Sequence, residues 1–429
     1  MTPFLFAGIP LVSRKSLDKK EIMSANFDVF QQTFALSLLS NLASDYIANE
    51  RYTPGTHGDP LEAQLAANIQ ATLPLPVITA GLGDGWQIAW GPAVWRGANA
   101  KVAQNAALVF YNPAVTFEDG TTAPTHVVAI SATNAISGYD WIVEDFTVSS
   151  TVNWTQYHPA VPSATVISHD SLMPVISKGT ATGVAHIAAL TPTDPAHGKT
   201  SLSDFIRQLN GTVNAGARIV FTGHSLAGAL APTFALYLEE HGALSAFERV
   251  QVYPTAGASP GNGRFSRQFA HAFPRKTAGE KPWQNWNILI RNQYDIVPHA
   301  WNLSTLLQLL TIYGNSDAEG GVKLPEQIYG VVLAALADSA ASKTLYAALP
   351  SAQFSGGSPG PAPATAAAYL TMAGTQHVKV YISEILGPDF PAVGHGPTVP
   401  GVIEFNDATQ RIAAIVKILE KILHPGAAG

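Results

Sequence analysis

Cysteine is absent from the 429-residue chain, which excludes disulfides, thiolate metal sites and a cysteine nucleophile. Charge is scarce as well: Asp, Glu, Lys and Arg make up 13% of the residues, and 24 basic against 30 acidic side chains leave a formal net charge of −6. Without a basic excess there is no electrostatic footprint for nucleic acid, and none is expected as a partner. Few charges beside 47% hydrophobic residues also oppose the composition of a disordered chain. No run approaches the ~20 apolar residues that a membrane-spanning helix needs, so no transmembrane segment is expected. Residues 3–12 are apolar but carry no preceding basic residue and no small-residue cleavage site. A secretory signal is therefore not evident, although a mature secreted chain would look the same, and the compartment stays open. No internal repeat of fixed period is visible.

The length suits about three domains or one large α/β domain with insertions. Residues 17–51 have helical periodicity, with Ile22, Phe27, Phe30, Phe34, Leu38 and Leu42 near one face. Residues 61–72 read as another short helix. The pattern then changes to short β-rich runs at 107–112, 125–131, 218–222, 250–255 and 286–291, separated by helical stretches at 202–209 and 226–240. Strand–helix–strand alternation of these lengths predicts a mostly parallel central sheet with helices on both faces. The expected layout is a helical N-terminal extension over 1–85, packed on an α/β catalytic domain over 86–429. Within that domain, 301–368 forms a helical and loop insertion, of which 355–368 (SGGSPGPAPATAAA) is a low-complexity loop. Residues 407–423 read as an amphipathic docking helix. GLGDGW at 81–86 lacks the strand–helix context of a dinucleotide site and reads as a turn. Neither Asp-rich calcium loops nor metal-spaced His pairs occur, so no metal and no cofactor is expected.

The strongest chemical signal is RIVFTGHSLAG at 218–228, followed by an apolar helix. A strand, a tight turn with Ser at its apex and then a helix form the setting of a nucleophile elbow. The turn lifts Ser225 above the sheet, and the helix aims its N-terminal N–H groups at developing oxyanion charge. Gly223, Ala227, Gly228, Ala229 and Ala231 are small enough for close strand–helix contact, while Pro232 falls inside the helix. A serine nucleophile needs an imidazole base, and the base needs a carboxylate that fixes its tautomer. Asp295, in RNQYDIVPH just past a predicted strand, is the expected acid; the bland alternative is an Asx-type turn before Val297-Pro298.

Several motifs stand in order along the chain: THVVAISATN with DWIVEDF, VISKGTATG, GHSLAG, TAGASPGNGRF and NQYDIVPHAW. Together they resemble the class 3 (fungal-type) triacylglycerol lipase family over residues 86 to 387. The resemblance implies an α/β-hydrolase fold, carboxylic ester hydrolysis and a Ser–Asp–His triad. It also implies an oxyanion hole at Thr133, where the stretch 130–133 matches the family's F-R-G-T, with Leu226 N–H as the second donor. Residues 137–146 match the position of the family's short lid, which Trp141, Ile142 and Phe146 would form; an ordinary packed helix is the alternative. The chain departs from the family at Ser131, Ala132, Ala227 and Ser259-Pro260.

After Asp295 the candidate bases are His299, His377, His395 and His424. His377, in a short loop leading into an apolar-periodic helix that ends at Gly387-Pro388, is expected to be the base. It also resembles the Q-H-x-x-x-Y stretch of bacterial relatives. His395, in GHG, is the alternative. The expected substrate is an acylglycerol or related apolar ester, met at a lipid–water interface. Phospholipase, feruloyl-type esterase, polyester depolymerase and a non-catalytic lipid- or protein-binding module remain as other readings, because fold and triad do not set specificity. Trp301, Leu306, Leu307, Leu310 and Tyr313 recur at helical spacing in the insertion and suit a cap lined for acyl chains. Trimming 301–368 is expected to alter chain-length preference across a p-nitrophenyl ester series more than the labelling rate of the nucleophile; an unchanged preference in a folded deletion variant would retire the cap.

Overall fold

A computed structural model describes residues 27–45, 59–97, 102–131, 147–160 and 172–390 apart from 389. Seven strands form the main sheet: β1 Gln87–Trp95, β2 Asn105–Thr116, β3 Thr122–Ile130, β4 Arg218–His224, β5 Arg249–Thr255, β6 Leu289–Asn292 and β7 Ser351–Phe354. They lie side by side in chain order. The β1–β2 and β2–β3 pairs are antiparallel, and every pair from β3 to β7 is parallel. The parallel strands read as unbroken apolar runs because both of their faces are covered. In β4, Ile219 and Phe221 point into one core while Val220 points into the other. Val128 and Ile130 of β3 likewise part from Val127 and Ala129. The period-2 alternation of a strand divides one run between two cores.

One core is closed by helices α3 Lys178–Ala189, α4 Leu202–Thr212 and α5 Ala227–Glu240, through side chains such as Val184, Ile206, Leu230 and Phe234. The other is closed by α1 Val29–Asn41, α2 Pro60–Thr72 and a late helix, α9 Val380–Ile385. Asp28 starts α1 with a capping box shared with Gln31, satisfying two orphan ends reciprocally. Gln31 then donates to the Ile385 carbonyl at 2.7 Å, tying the first described helix to the last. Phe30 packs on Trp286 with ring centroids 4.3 Å apart, and Phe34 meets His224 at 6.0 Å. The mostly parallel sheet flanked by helices is that of an α/β-hydrolase.

The expected strand over 286–291 is divided. Asn285–Trp286 pairs with Lys276–Thr277, and only Leu289–Asn292 enters the main sheet. Asn287 breaks the run at φ 66. Its amide accepts from Val252 N–H and donates to the Pro274 carbonyl, both at 2.9 Å, so a side chain replaces ladder bonds. Two strands of the main sheet were not anticipated, β1 and β7; β7 is short and β1 is interrupted by Gly91-Pro92. Gly83 and Gly85, at φ 74 and 94, make GLGDGW the turn expected of it. In the 301–350 stretch the helices are Leu303–Leu306, the 3₁₀ turn Leu307–Leu310 and α7 Glu326–Ala341. The low-complexity segment is irregular until α8 begins at Ala366, with Thr365 as its N-cap. Trp301, Leu306 and Tyr313 are core residues, whereas Leu307 is 53% exposed.

Two soft sequence motifs meet in a separate four-stranded sheet. Val175–Ser177 of VISKGTATG runs antiparallel to Gly261–Asn262 of TAGASPGNGRF. Asn262 accepts from Val175 N–H at 3.3 Å, donates to the Met173 carbonyl at 2.7 Å and caps α6 Gly263–Ala272. A closer crossing lies at the start of α5. A Cβ on Gly228 would come within 2.8 Å of Gly257 Cα and closer still to the Thr255 carbonyl oxygen. Backbone cannot yield as a flexible side chain can, so Gly228→Ala should lower stability by about 1–3 kcal/mol, the usual range for overpacking. A urea midpoint equal to that of the parent chain would refute this.

Candidate active site

β4 ends at His224 and α5 begins at Ala227, leaving Ser225 and Leu226 to make the turn. Ser225 sits at φ 62, a left-handed conformation that costs a non-glycine residue of order 1–3 kcal/mol unless its surroundings over-determine it. Here they do. Ser225 N–H donates to the Thr255 carbonyl at 3.0 Å, and the Ser225 carbonyl accepts from Gly228 N–H at 2.8 Å. A side chain at position 223 would approach the Ala227 methyl and carbonyl within 2.6 Å, so glycine is required there. That bare glycine makes room for Ala227, which is fully buried. The departure from glycine at 227 is thus absorbed by its neighbour across the turn. Among the described residues, the Leu226 N–H has no hydrogen-bond acceptor, so a donor beside Ser225 remains available to a ligand.

His377 and Asp295 come to Ser225 from distant parts of the chain. Ser225 Oγ lies 2.8 Å from His377 Nε2, and His377 Nδ1 lies 2.9 Å from each Asp295 oxygen. Asp295 is wholly buried, while the imidazole is 15% exposed. A carboxylate can only accept, so Nδ1 carries the proton and Nε2 is left to accept from the serine hydroxyl. Asp295 also accepts from Val297 N–H at 3.0 Å. The same carboxylate therefore closes an Asx turn and meets the imidazole.

His377 does not occupy a loop, as the spacing suggested. It lies in a π-helical turn, Thr375–Lys379, inserted between α8 Ala366–Gly374 and α9, where Val380 N–H donates to the Thr375 carbonyl. One extra residue in the turn re-aims the side chains that follow α8, a common device at functional sites. Asn292, at the end of β6, holds this turn by donating to Gln376 O at 2.9 Å and Gln376 Oε1 at 2.7 Å. Tyr381, on α9, donates to Asp295 Oδ2 at 2.8 Å and accepts from Asn292 N–H at 2.8 Å. Burial, and next the charge of Asp295, push the Tyr381 phenol well above its usual range, so it stays protonated as a donor.

His224 is the second imidazole here. Its Nδ1 is 2.8 Å from Thr255 Oγ1 and its Nε2 is 2.8 Å from the His377 carbonyl. Complete burial, with His377 as the next cause, holds it well below the ordinary histidine range. Sequence reasoning passed over His224, Thr255, Asn292, Gln376 and Tyr381. Gln376 and Tyr381 left a signal, as the Gln and the Tyr of the Q-H-x-x-x-Y stretch.

His299 is buried in the 3₁₀ turn Val297–His299, and it is His377 that meets Ser225. Thr133, Trp141, Ile142, Phe146, His395, His424 and the expected helix over 407–423 fall outside the described residues. The strand leading toward Thr133 ends at Ile130, level with Gly223 of β4. Among the described residues no group of three or more metal-ligating side chains occurs, and no helix is long and apolar enough to cross a membrane.

No curated protein sequence matches the chain. The M37 lipase structure superposes with a TM-score of 0.64 at 23% identity, covering 91% of this chain and 100% of that one, a likeness of fold. The Rhizomucor miehei triacylglyceride lipase structure aligns at a TM-score of 0.35 and 14% identity over 63% of this chain and 74% of that one. A Penicillium cyclopium protein, MDLA, aligns at 0.32 and 14% over 63% and 72%. The family model described as lipase (class 3) matches residues 127–304, a stretch that the chain shares in pattern with that family.

Proposed function

We propose that the chain hydrolyses carboxylic esters of acylglycerols and related apolar alcohols through an acyl-enzyme formed on Ser225. What supports this reading is the unbroken hydrogen-bond path from Asp295 through His377 to a serine held at φ 62 between strand and helix. His377 Nε2 takes the hydroxyl proton as Ser225 Oγ attacks the ester carbonyl. The carbonyl oxygen becomes an oxyanion, stabilised by Leu226 N–H and, on this reading, by Thr133. One such donor contributes about 3 kcal/mol to the transition state. Asp295 stabilises the imidazolium, which then protonates the leaving alkoxide. Water, deprotonated in turn by His377, releases the acid and restores Ser225.

The substrate face is read from the insertion. Leu307, Tyr329 and Leu333 are 53%, 48% and 46% exposed, an apolar presentation suited to a lipid–water interface. Ile296, next to the acid, shares a cavity with Leu306, Leu309, Ile328 and Tyr369. At about 30 Å³ it admits a methyl-sized group rather than an acyl chain, so on this reading the chain is accommodated at the surface of the insertion.

Incubation with an organophosphonate should label Ser225 covalently, and Ser225→Ala should abolish both the label and p-nitrophenyl butyrate hydrolysis, with kcat down at least about 10⁴-fold. Label that persists in Ser225→Ala would refute the assignment. Tyr381→Phe strips one donor from Asp295 and leaves Asn292 N–H buried without a partner, at a cost of about 1–3 kcal/mol. A chemical-denaturation midpoint lowered by that amount, together with a fall in kcat, is the expected result; a fully active variant of parental stability would count against the role given to Tyr381.

A further inference from the structure

We propose that His224 is a positioning residue for the reaction: through an imidazole N–H it clamps the backbone of His377 and so sets where the base stands relative to Ser225. The proposal rests on the triad reading above. Its starting point is a tautomer that the His377 carbonyl dictates. The His377 carbonyl can only accept, so His224 Nε2 must carry a hydrogen. With His224 neutral, Nδ1 then has only its lone pair, and the Thr255 hydroxyl at 2.8 Å donates to it. Thr255 lies directly opposite His224 in the β4–β5 ladder, and its own carbonyl accepts from Ser225 N–H. Thr255 thereby holds the serine by its backbone and the clamp by its side chain.

The ring has little freedom. It is fully buried, 5.1 Å from the Tyr381 ring at near-perpendicular orientation and edge-on to Phe34. The arrangement uses chain adjacency: His224 and Ser225 are consecutive, so one strand end carries the nucleophile and the group that holds the base. The 2.8 Å spacing between Ser225 Oγ and His377 Nε2 is thus referred to a single rigid point. His377 needs such a reference because it stands on a π turn, whose backbone is less uniform than a regular helix. Charge matters too. The two imidazole rings are 4.9 Å apart, so a cationic His224 would oppose the imidazolium that His377 becomes during the reaction. A neutral donor steadies the base without that penalty.

The test compares kcat and KM for p-nitrophenyl butyrate, and the rate of phosphonate labelling at Ser225, across variants of the full chain. His224→Phe keeps the aromatic packing and deletes both hydrogen bonds. It should lower kcat and the labelling rate about 10- to 100-fold, the scale of a displacement of about 1 Å at a reacting pair, with KM within about twofold. His224→Gln carries an N–H as far out as Nε2 and should recover most of the loss, whereas His224→Asn is too short and should behave like the Phe variant. If His224→Phe does not fold, Thr255→Val takes its place: it removes the hydroxyl that holds His224 Nδ1 and should lower kcat several-fold with KM unchanged. Equal rates in wild type and variants would overturn the proposal. So would losses in His224→Gln and His224→Phe that are alike and follow thermal stability, the mark of a purely structural residue. A wild-type chain that takes no label at Ser225 would instead overturn the triad reading beneath it.

Discussion

A serine at φ 62 between a buried strand and a buried helix is the constraint from which the site is built. The conformation is unfavourable for any side chain but glycine, so it survives only where neighbours forbid relaxation. Gly223 and Gly257 supply the closeness, the first by making room for Ala227 and the second by meeting Gly228 backbone to backbone. Thr255 supplies the polar restraint through its carbonyl. The outcome is a hydroxyl presented outward and, beside it, a backbone N–H at a helix start without a protein acceptor among the described residues.

His377 and Asp295 come from elements far from the elbow along the chain and meet it in space. β6 lies two strands from β4, and its end carries Asn292 and then Asp295. Asn292 anchors the π turn bearing His377, and Tyr381 returns from the following helix to the same carboxylate. The side-chain polar atoms of Asn292, Asp295, His377 and Tyr381 are all hydrogen-bonded, and in a low-dielectric interior that requirement leaves few alternative arrangements. α1 belongs to the same assembly: Phe34 packs on His224, and Gln31 reaches the end of α9. The covering of one sheet face and the support of the base are therefore parts of one packing problem.

The elements legible from sequence were those whose local pattern and tertiary role coincide. RIVFTGHSLAG shows its strand, its small residues and its helix within one window, and Asp295 follows a strand closely enough for its position to be read. β1 and the short β7 were not legible: cross-strand pairing decides them, and β1 is broken at Gly91-Pro92. The run over 286–291 misled because Asn287, outwardly an ordinary strand residue, substitutes its side chain for ladder bonds. The π turn at His377 has no signature of its own, since one inserted residue leaves helical periodicity nearly unchanged.

By itself, the sequence determined the alternation that makes a covered parallel sheet, the elbow at Ser225 and a short roster of imidazoles beyond Asp295. Those are local matters, set by residue size, backbone freedom and the period of apolar side chains. Tertiary structure alone decided which imidazole meets the serine, and it enlisted His224, Thr255, Asn292 and Tyr381 around the pair. Hydrogen bonds between groups far apart in the chain depend on direction and distance in space, and no spacing along a sequence encodes either.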